Sequence, residues 1–221
     1  MYKSFIKRLI DFILSAIATI VLAIPALFLA VAIKIDDPGP VLFKQKRVGQ
    51  KKNGRLTYFM IWKFRSMKMS SPHDTPTHLL ENPEQYITRI GKFIRKTSLD
   101  ELPQILQVLT GKLSVIGPRP ALWSQEDLIA EREKYGANDI KPGITGWAQI
   151  NGRDELEIPV KAKLDGEYAA ALNAGNFKGV AMDIRCFFGT IVSVLKHEGV
   201  VEGGTGELHK EKQENIEQVI K

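Results

Sequence analysis

Residues 12–33, FILSAIATIVLAIPALFLAVAI, form an apolar segment without a single charged side chain. A helix needs about 20 such residues to cross the hydrocarbon core of a bilayer. The segment is too long for the apolar core of a signal peptide, and it continues into the charged residues Lys34, Asp36 and Asp37 instead of a small-residue cleavage site. The sequence therefore predicts that this part of the chain is embedded in a membrane.

Two membrane topologies are compatible with this segment. Pro25 lies past its middle and removes a helical hydrogen bond there. Lys3 and Lys7 precede the segment and Lys34 follows it, so the positive-inside rule assigns both ends to the cytoplasm. A helix that breaks at Pro25 and returns to the same face satisfies both observations. The alternative is a kinked single span, because membrane helices tolerate proline.

The composition of the whole chain fits one globular domain plus this appendage. Its 221 residues are 44% apolar, which permits a hydrophobic core. The net charge of +6 favours anionic partners such as nucleic acid, a phospholipid surface or a phosphorylated substrate. Cys186 is the single cysteine, which excludes an internal disulfide, and we expect it to be a small apolar residue of a helix.

Residues 96–104, KTSLDELPQ, contain two adjacent carboxylates, Asp100 and Glu101, directly before an apolar helical run. Either Asp100 caps the following helix, or Ser98 caps it and Glu101 closes a capping box. In both cases the carboxylates lie at the positive end of a helix dipole, which stabilises carboxylates and phosphates. A well-capped helix without chemistry is the other interpretation of this stretch.

Basic residues surround the two carboxylates in sequence. Residues 44–68 hold nine Lys or Arg and no acid. Within this range residues 56–62 form an apolar segment that predicts a strand buried on both faces. Lys63 and Arg65 follow it, and residues two apart on an extended chain point to one side. We therefore expect Lys63 and Arg65 to face a phosphate together.

Further candidate binding residues lie on either side of the two carboxylates Asp100 and Glu101, which are called the dyad below. A helix predicted from Pro83 delivers Arg95 just before it. Arg119 lies between two prolines that restrict its backbone, which suits a bidentate contact with phosphate. Arg153 and Asp165 are secondary candidates for substrate contacts.

Aromatic residues interleave with the cations of residues 44–68, so a nucleic-acid-binding surface is an alternative for this region. A buried strand would explain the aromatic residues as core. The cations would then attract anionic headgroups of the adjacent membrane at about 1 kcal/mol per charge.

Five motifs occur in a fixed order along the chain: residues 63–67 (KFRSM), 96–104, 117–120 (GPRP), 141–149 (KPGITGWAQ) and 151–153 (NGR). Together they resemble the bacterial sugar transferases, the monotopic phosphoglycosyl transferases that load a phosphosugar onto a polyprenyl phosphate carrier. The resemblance covers about residues 1–200, nearly the whole chain.

The resemblance implies an α+β fold with three parts. Residues 1–35 would form a re-entrant, proline-broken membrane helix, and residues 201–221 a flexible tail. Residues 36–200 would form a small, mostly helical catalytic domain with a short β element and interfacial amphipathic helices. This domain would lie on the cytoplasmic face of the bacterial inner membrane. The oligomeric state is not indicated.

The resemblance also implies a reaction: transfer of a phosphosugar from a UDP-sugar to polyprenyl (undecaprenyl) phosphate, with release of UMP, as the first membrane step of cell-surface glycan assembly. Asp100 would be the nucleophile that forms an aspartyl-phosphosugar, and Glu101 would bind Mg²⁺. Arg65, Arg95 and Arg119 would clamp the phosphates. The expected partners are the donor, the lipid acceptor and the bilayer, without nucleic acid.

Two alternative functions remain open from the residues. A membrane-tethered nucleic-acid-binding protein would explain residues 44–68 and the N-terminal anchor, but it leaves Asp100, Glu101 and Arg119 without a role. The second is a non-catalytic scaffold of a glycan-assembly complex.

Overall fold

The computed structural model describes residues 1–71, 83–152 and 156–196 as a mixed α+β fold. The predicted tail and Arg153 lie outside these ranges. In chain order the elements are α1 (Lys7–Asp36), β1 (Leu42–Val48), β2 (Tyr58–Phe64), α2 (Arg89–Lys96), α3 (Gln104–Leu109), β3 (Ser114–Ile116), α4 (Glu126–Glu133), β4 (Gly143–Thr145), α5 (Trp147–Ile150), α6 (Ile158–Asn173) and α7 (Asn176–Lys196).

The predicted apolar segment becomes helix α1, which follows a π-helical turn at Tyr2–Ile6. The combined helix is long and apolar enough to cross a membrane, and 6% of its most apolar stretch is buried inside the protein. α1 continues through Pro25, so the predicted interruption of the helix at this residue is not observed. A proline inside a helix removes one hydrogen bond and kinks the axis without ending the helix when its neighbours hold their bonds.

Both ends of α1 are bonded to the same globular domain. Near its start, Arg8 donates hydrogen bonds to the carbonyls of Val108 and Leu109, at 2.6 and 2.8 Å. At its end, the Asp36 carboxylate accepts a hydrogen bond of 2.9 Å from the Ile90 N–H. Between these anchors many apolar side chains are exposed, such as Ile24 beside the proline at 68%, whereas Ile33 near the end of α1 is buried against Phe64 and Ile94.

A buried polar network fixes the start of the chain to helices α6 and α7. The Asp183 carboxylate of α7 accepts hydrogen bonds from Lys7 Nζ at 2.8 Å and from the hydroxyls of Tyr2 and Tyr168 at 2.5 and 2.7 Å. Buried charges are tolerated when they are paired and hydrogen-bonded. This network therefore determines where α1 leaves the domain.

β1 and β2 form a two-stranded antiparallel hairpin, with Lys44 opposite Trp62. The predicted strand exists, but it begins two residues later than expected. Its predicted burial on both faces is wrong, since Tyr58 and Met60 are exposed. A hairpin packed on one side leaves its other face open. There Lys46 Nζ lies 4.8 Å from the centre of the Tyr58 ring, within the range of a cation–π contact.

Helix α7 combines a buried and an exposed apolar side. Cys186 is completely buried in the cluster that includes Ile116 and Tyr168, which confirms its predicted role as a small core residue. Phe187 and Phe188 are exposed and pack edge to face with ring centroids 5.6 Å apart. Helix α7 therefore presents an apolar face away from the core.

Asp165 lies inside the core instead of at a substrate site. Its side chain in α6 is 0% exposed, and Oδ2 accepts hydrogen bonds from Arg132 Nε and Nη2 of α4 at 2.8 and 2.5 Å. The predicted substrate contact of Asp165 is thus replaced by a structural ion pair that joins two helices.

Removing one partner of this pair should destabilise the protein. In Arg132→Met the buried Asp165 carboxylate loses its counter-charge, which costs about 3–5 kcal/mol of unfolding free energy. The double variant Arg132→Met/Asp165→Leu removes both charges and should recover most of that loss. Denaturant unfolding of the detergent-solubilised chain measures both values. A single variant with wild-type stability would contradict the structural role.

Candidate active site

Asp100 and Glu101 lie in a 3₁₀ turn, Leu99–Glu101, between α2 and α3. Neither predicted side-chain cap is formed, because Pro103 occupies the position before α3 and the turn itself is closed by the Ser98 carbonyl, which accepts the Glu101 N–H at 3.2 Å. Ser98 has φ 56°, a left-handed conformation that is strained for a residue with a Cβ. The dyad therefore precedes the helix by one turn.

Lys63 of β2 connects the two carboxylates. Its Nζ lies 2.7 Å from Glu101 Oε1 and 3.4 Å from Asp100 Oδ2. The carboxylate side chains are 13% and 11% exposed for Asp100 and Glu101. Such a shared ammonium compensates two negative charges that are adjacent in sequence and largely removed from water. The structure thus brings together three residues that the sequence predicted for one site.

Gln107 of α3 holds the dyad against the strand that carries Lys63. Its side-chain oxygen accepts the Trp62 N–H at 2.9 Å, and its nitrogen donates to the Met60 carbonyl at 2.7 Å. These bonds satisfy the edge of β2 that does not pair with β1. Sequence reasoning missed this contact, and an amide at an apolar helix position was the available signal.

Arg119 reaches the site from the segment that follows β3. Its Nη2 donates to Glu101 Oε1 at 3.1 Å. The segment begins at Gly117, whose N–H donates to the Thr145 carbonyl at 2.7 Å. A Cβ on Gly117 would approach the Lys141 carbonyl oxygen to 2.4 Å, so only glycine allows this close approach.

The electrostatics of Asp100 follow from its surroundings. Burial raises the pKa of the Asp100 carboxyl above its ordinary value, and the charge of Glu101 acts in the same direction. Lys63 and Arg119 oppose this shift of the pKa because they favour the ionised form. Asp100 is consequently a carboxyl group with little solvation, and neighbouring cations offset part of the cost of ionising it.

Arg65 is engaged elsewhere, although it follows Lys63 by two residues. Its Nε donates to the Pro40 carbonyl at 2.7 Å, and its Nη atoms contact the carboxylate and the carbonyl of Asp37. Arg65 is buried. The prediction that Lys63 and Arg65 face one phosphate is therefore corrected. Arg65 binds the segment that follows α1, at Asp37 and Pro40, and of the two residues only Lys63 faces the dyad.

The other predicted site residues have different positions. Arg95 is partly exposed in the last turn of α2, and its carbonyl accepts the Ser98 N–H at 3.1 Å, directly before the dyad. Its predicted phosphate contact stays a prediction. Arg153 lies outside the described residues, and Asp165 is buried against Arg132 as described above.

A cavity of about 200 Å³ adjoins Glu101 of the dyad. Glu101 and Arg119 line one part of it, together with the strained Ser98. Gln149 of α5 lines it as well and was not predicted as a site residue. The motif 141–149 contained this residue, but a glutamine beside a tryptophan gave no indication of which side it faces.

The donor atoms of this site fit Mg²⁺ only in company with a substrate. Within residues 1–71, 83–152 and 156–196, no group of three or more His, Cys, Asp or Glu is suited to hold a metal ion. Mg²⁺ is usually bound by one or two carboxylates plus substrate phosphates, and Asp100 and Glu101 supply carboxylates at such a site. The predicted metal ligand Glu101 is compatible with this arrangement.

Comparison with known proteins identifies the family. The family model described as bacterial sugar transferase matches residues 2–197. The chain belongs to the bacterial sugar transferase family. It is 38% identical over 176 residues to the UDP-glucose:undecaprenyl-phosphate glucose-1-phosphate transferase of Escherichia coli, a match that covers 74% of this chain and 36% of that protein.

Two other relatives are matched over most of their length. The exopolysaccharide production protein PSS of Rhizobium leguminosarum is 41% identical over 199 residues, with 86% of this chain and 95% of the relative covered. The uncharacterized sugar transferase EpsL of Bacillus subtilis is 37% identical over 195 residues, with 88% and 90% covered. The chain therefore spans about a third of the Escherichia coli relative and nearly all of these two.

The raised pKa of Asp100 predicts how its ionisation affects stability. The unfolded chain loses this proton at the ordinary aspartate pKa, below the folded value. Stability therefore falls as the pH rises between the two values. Asp100→Asn removes this loss, so its melting temperature should exceed that of the wild type by a few degrees at neutral pH. The gain should vanish below the ordinary aspartate pKa.

Thermal unfolding in matched detergent buffers over a pH series measures this difference. Glu126→Gln, which neutralises an exposed carboxylate on α4, serves as the control and should give no comparable gain. A melting temperature for Asp100→Asn below that of the wild type at neutral pH would show that ionised Asp100 stabilises the fold.

Proposed function

We propose that this protein transfers a phosphosugar from a UDP-sugar to polyprenyl phosphate and releases UMP, as an early membrane step of cell-surface glycan assembly. The observation that carries the proposal is the Lys63 ammonium between two largely buried, adjacent carboxylates, beside a cavity that Glu101 and Arg119 line. The names of its relatives as undecaprenyl-phosphate sugar-phosphate transferases support the same reaction class.

Asp100 acts as the nucleophile. One carboxylate oxygen attacks the phosphorus that bears the sugar, and the bond between this phosphorus and the bridging oxygen of UMP breaks. UMP leaves with that oxygen, and an aspartyl-phosphosugar remains. An oxygen of polyprenyl phosphate then attacks the same phosphorus and frees the Asp100 carboxylate. Burial and a raised pKa suit this role because a poorly solvated carboxylate is a better nucleophile.

Lys63 and Arg119 manage charge during both steps. Lys63 opposes the rise in the pKa of Asp100 that burial causes, and its contact with Glu101 holds the second carboxylate in position. Arg119 donates to Glu101 with Nη2, and the planar fork of a guanidinium matches the geometry of phosphate oxygens. These cations reduce the repulsion between an anionic nucleophile and an anionic donor.

Glu101 is the residue that would hold Mg²⁺, together with donor phosphates. When bound, the ion neutralises charge on the transferring phosphoryl group. Glu101 would have to share its oxygens between this ion and its present partners Lys63 and Arg119.

The membrane segment brings the lipid acceptor to the site. Anchors at Arg8 and Asp36 attach both ends of α1 to the same domain, which favours a helix that enters and leaves the inner membrane on its cytoplasmic face. Transfer between a bound donor and a lipid held in the same bilayer gains from proximity and orientation. The exposed apolar side of α7 suits contact with the interface.

Replacement of the nucleophile tests the chemistry. Asp100→Asn should lower UMP release by more than about 10³-fold, because the covalent route is lost. Wild-type protein incubated with a UDP-sugar labelled in the sugar and quenched with acid, without acceptor, should retain label in proportion to the UMP released. Asp100→Asn should retain none.

Glu126→Gln is the matched control, since it neutralises an exposed carboxylate far along the chain, and it should retain wild-type turnover. UMP release by Asp100→Asn at a near wild-type rate would refute the nucleophile. Turnover of any UDP-sugar with polyprenyl phosphate by the wild type excludes a purely scaffolding role. Salt-sensitive RNA or DNA binding without turnover would favour the nucleic-acid alternative instead.

Labelling of single cysteines tests the topology. Cys186 is buried, so a Cys186→Ala background leaves new cysteines as the only targets. Lys3→Cys and Lys34→Cys flank the apolar segment, and Glu126→Cys reports the globular domain. A membrane-impermeant maleimide should label all three in inverted inner-membrane vesicles and none in intact spheroplasts. Labelling of position 3 and position 34 from opposite sides would establish a single span.

A further inference from the structure

The cavity beside the dyad has two chemically different parts. Glu101 and Arg119 form a charged part, where the phosphates of a donor would lie. The walls beyond are mostly apolar and include Ile105, Ile144 and Ile150. Gln149 adds an amide to these walls, which also include the hydroxyl residues Thr145, Thr190 and Ser193.

The Gln149 amide is buried without a hydrogen-bond partner. The residue is 9% exposed, and both Nε2 and Oε1 lack a partner. Among the described residues it is the one buried side chain with two such atoms. A buried polar atom without a partner costs about 1–3 kcal/mol, and buried polar groups in proteins are rarely left in this state. A ligand that pairs with this amide would remove the cost.

Helix α5 holds Gln149 in a fixed position. The Trp147 indole N–H donates to Glu167 of α6 at 2.9 Å, and the Asn151 side chain donates to the Trp147 carbonyl at 2.7 Å. Ile150 packs so closely on Gly189 of α7 that a Cβ added to Gly189 would lie 2.6 Å from Cδ1 of Ile150. These contacts hold the backbone of α5 in place, and the Gln149 side chain on this helix lines the cavity.

The ligand must offer a donor and an acceptor side by side, because an amide presents both. The phosphate of a lipid acceptor offers only acceptors, which would leave Oε1 without a partner. A sugar carries hydroxyls around its ring and would bury several against isoleucine side chains. The imide edge of uracil carries an N–H between two carbonyls, and the faces of its ring are flat and suit apolar walls.

We propose that Gln149 binds the imide edge of the uracil of the donor nucleotide, in the cavity whose charged part is formed by Glu101 and Arg119. This inference rests on the proposed function. In this arrangement Oε1 accepts the imide N–H and Nε2 donates to a neighbouring carbonyl. Arg119 approaches the phosphates of the same molecule, so the nucleotide is fixed at both of its ends.

Methionine and glutamate substitutions separate a binding role from a structural one. Gln149→Met keeps the size of the side chain and removes only atoms without a partner, so it should melt at or above the wild-type temperature. Gln149→Glu offers acceptors alone. The carboxylate of this variant should repel the uracil carbonyl, because both groups are hydrogen-bond acceptors. It should accept a hydrogen bond from the amino group of cytosine, as acidic side chains do when they contact that base.

Calorimetric titration of the full-length protein with UMP and CMP measures these effects. The Asp100→Asn background makes the measurement independent of turnover. Gln149→Met should weaken UMP binding by about 10- to 100-fold, the loss expected for a paired hydrogen-bonding group. Gln149→Glu should weaken UMP binding more than CMP binding. Gln50→Met, whose amide donates to the Asp139 carbonyl at the surface, is the control and should bind UMP like the wild type.

Kinetics with wild-type Asp100 give a second measurement. Gln149→Met should lower kcat/KM for the UDP-sugar chiefly through a higher KM, as expected for a contact made equally in the ground and transition states. Unchanged UMP affinity in both Gln149 variants would overturn the inference and leave the proposed function intact. If the Gln149 variants bound UMP like the wild type but preferred a different UDP-sugar, the amide would contact the sugar, and the inference about uracil would be overturned as well. A wild-type protein that binds no uridine nucleotide would overturn the proposed function itself.

Discussion

The contact of Lys63 with Asp100 and Glu101 is the constraint around which the globular domain is arranged. Two adjacent carboxylates removed from water repel each other and lose hydration, and a cation between them reduces both costs. The cation comes from β2, the carboxylates from the turn before α3, and Gln107 joins these two elements through the backbone of β2. Arg119 completes the site from a third segment, which Gly117 fixes against Thr145.

The attachment of the long apolar helix α1 depends on a second set of charges, most of which are buried. Lys7 and Asp183 pair near the start of α1, Arg65 and Asp37 pair just after its end, and Asp11 accepts the Val115 N–H at 3.0 Å. A buried ion pair contributes little net stability, but breaking it is costly. These pairs therefore define position more than they add stability. They hold both ends of an apolar helix on one domain, and the candidate active site lies within that domain.

Much of the fold and the centre of the site could be predicted from the sequence. The apolar run of residues 12–33 determines α1 by length and lack of charge, and Lys63, Asp100, Glu101 and Arg119 converge as expected. The predicted positions of Arg65 and Asp165 at the substrate site are not observed. The spacing of residues along a chain indicates which face of a strand or helix they share, but it does not indicate which residue packs against that face. Asp37 and Arg132 are distant in sequence from those residues, and no local pattern links them. The strain at Ser98 and the edge contact of Gln107 likewise depend on tertiary packing.

The distribution of unsatisfied polarity distinguishes the site from the anchors. The buried carboxylates of Asp11 and Asp183 each accept two or more hydrogen bonds, so the anchors of α1 are satisfied without a ligand. In and around the candidate site the situation is reversed: burial raises the pKa of the Asp100 carboxyl, Ser98 is strained, and the Gln149 amide has no partner. Such local costs persist only where the surrounding structure enforces them, and they collect where a protein binds and reacts. The packing of α5 between α6 and α7 supplies that enforcement for Gln149, just as the bonds of Gln107 to β2 supply it for the dyad.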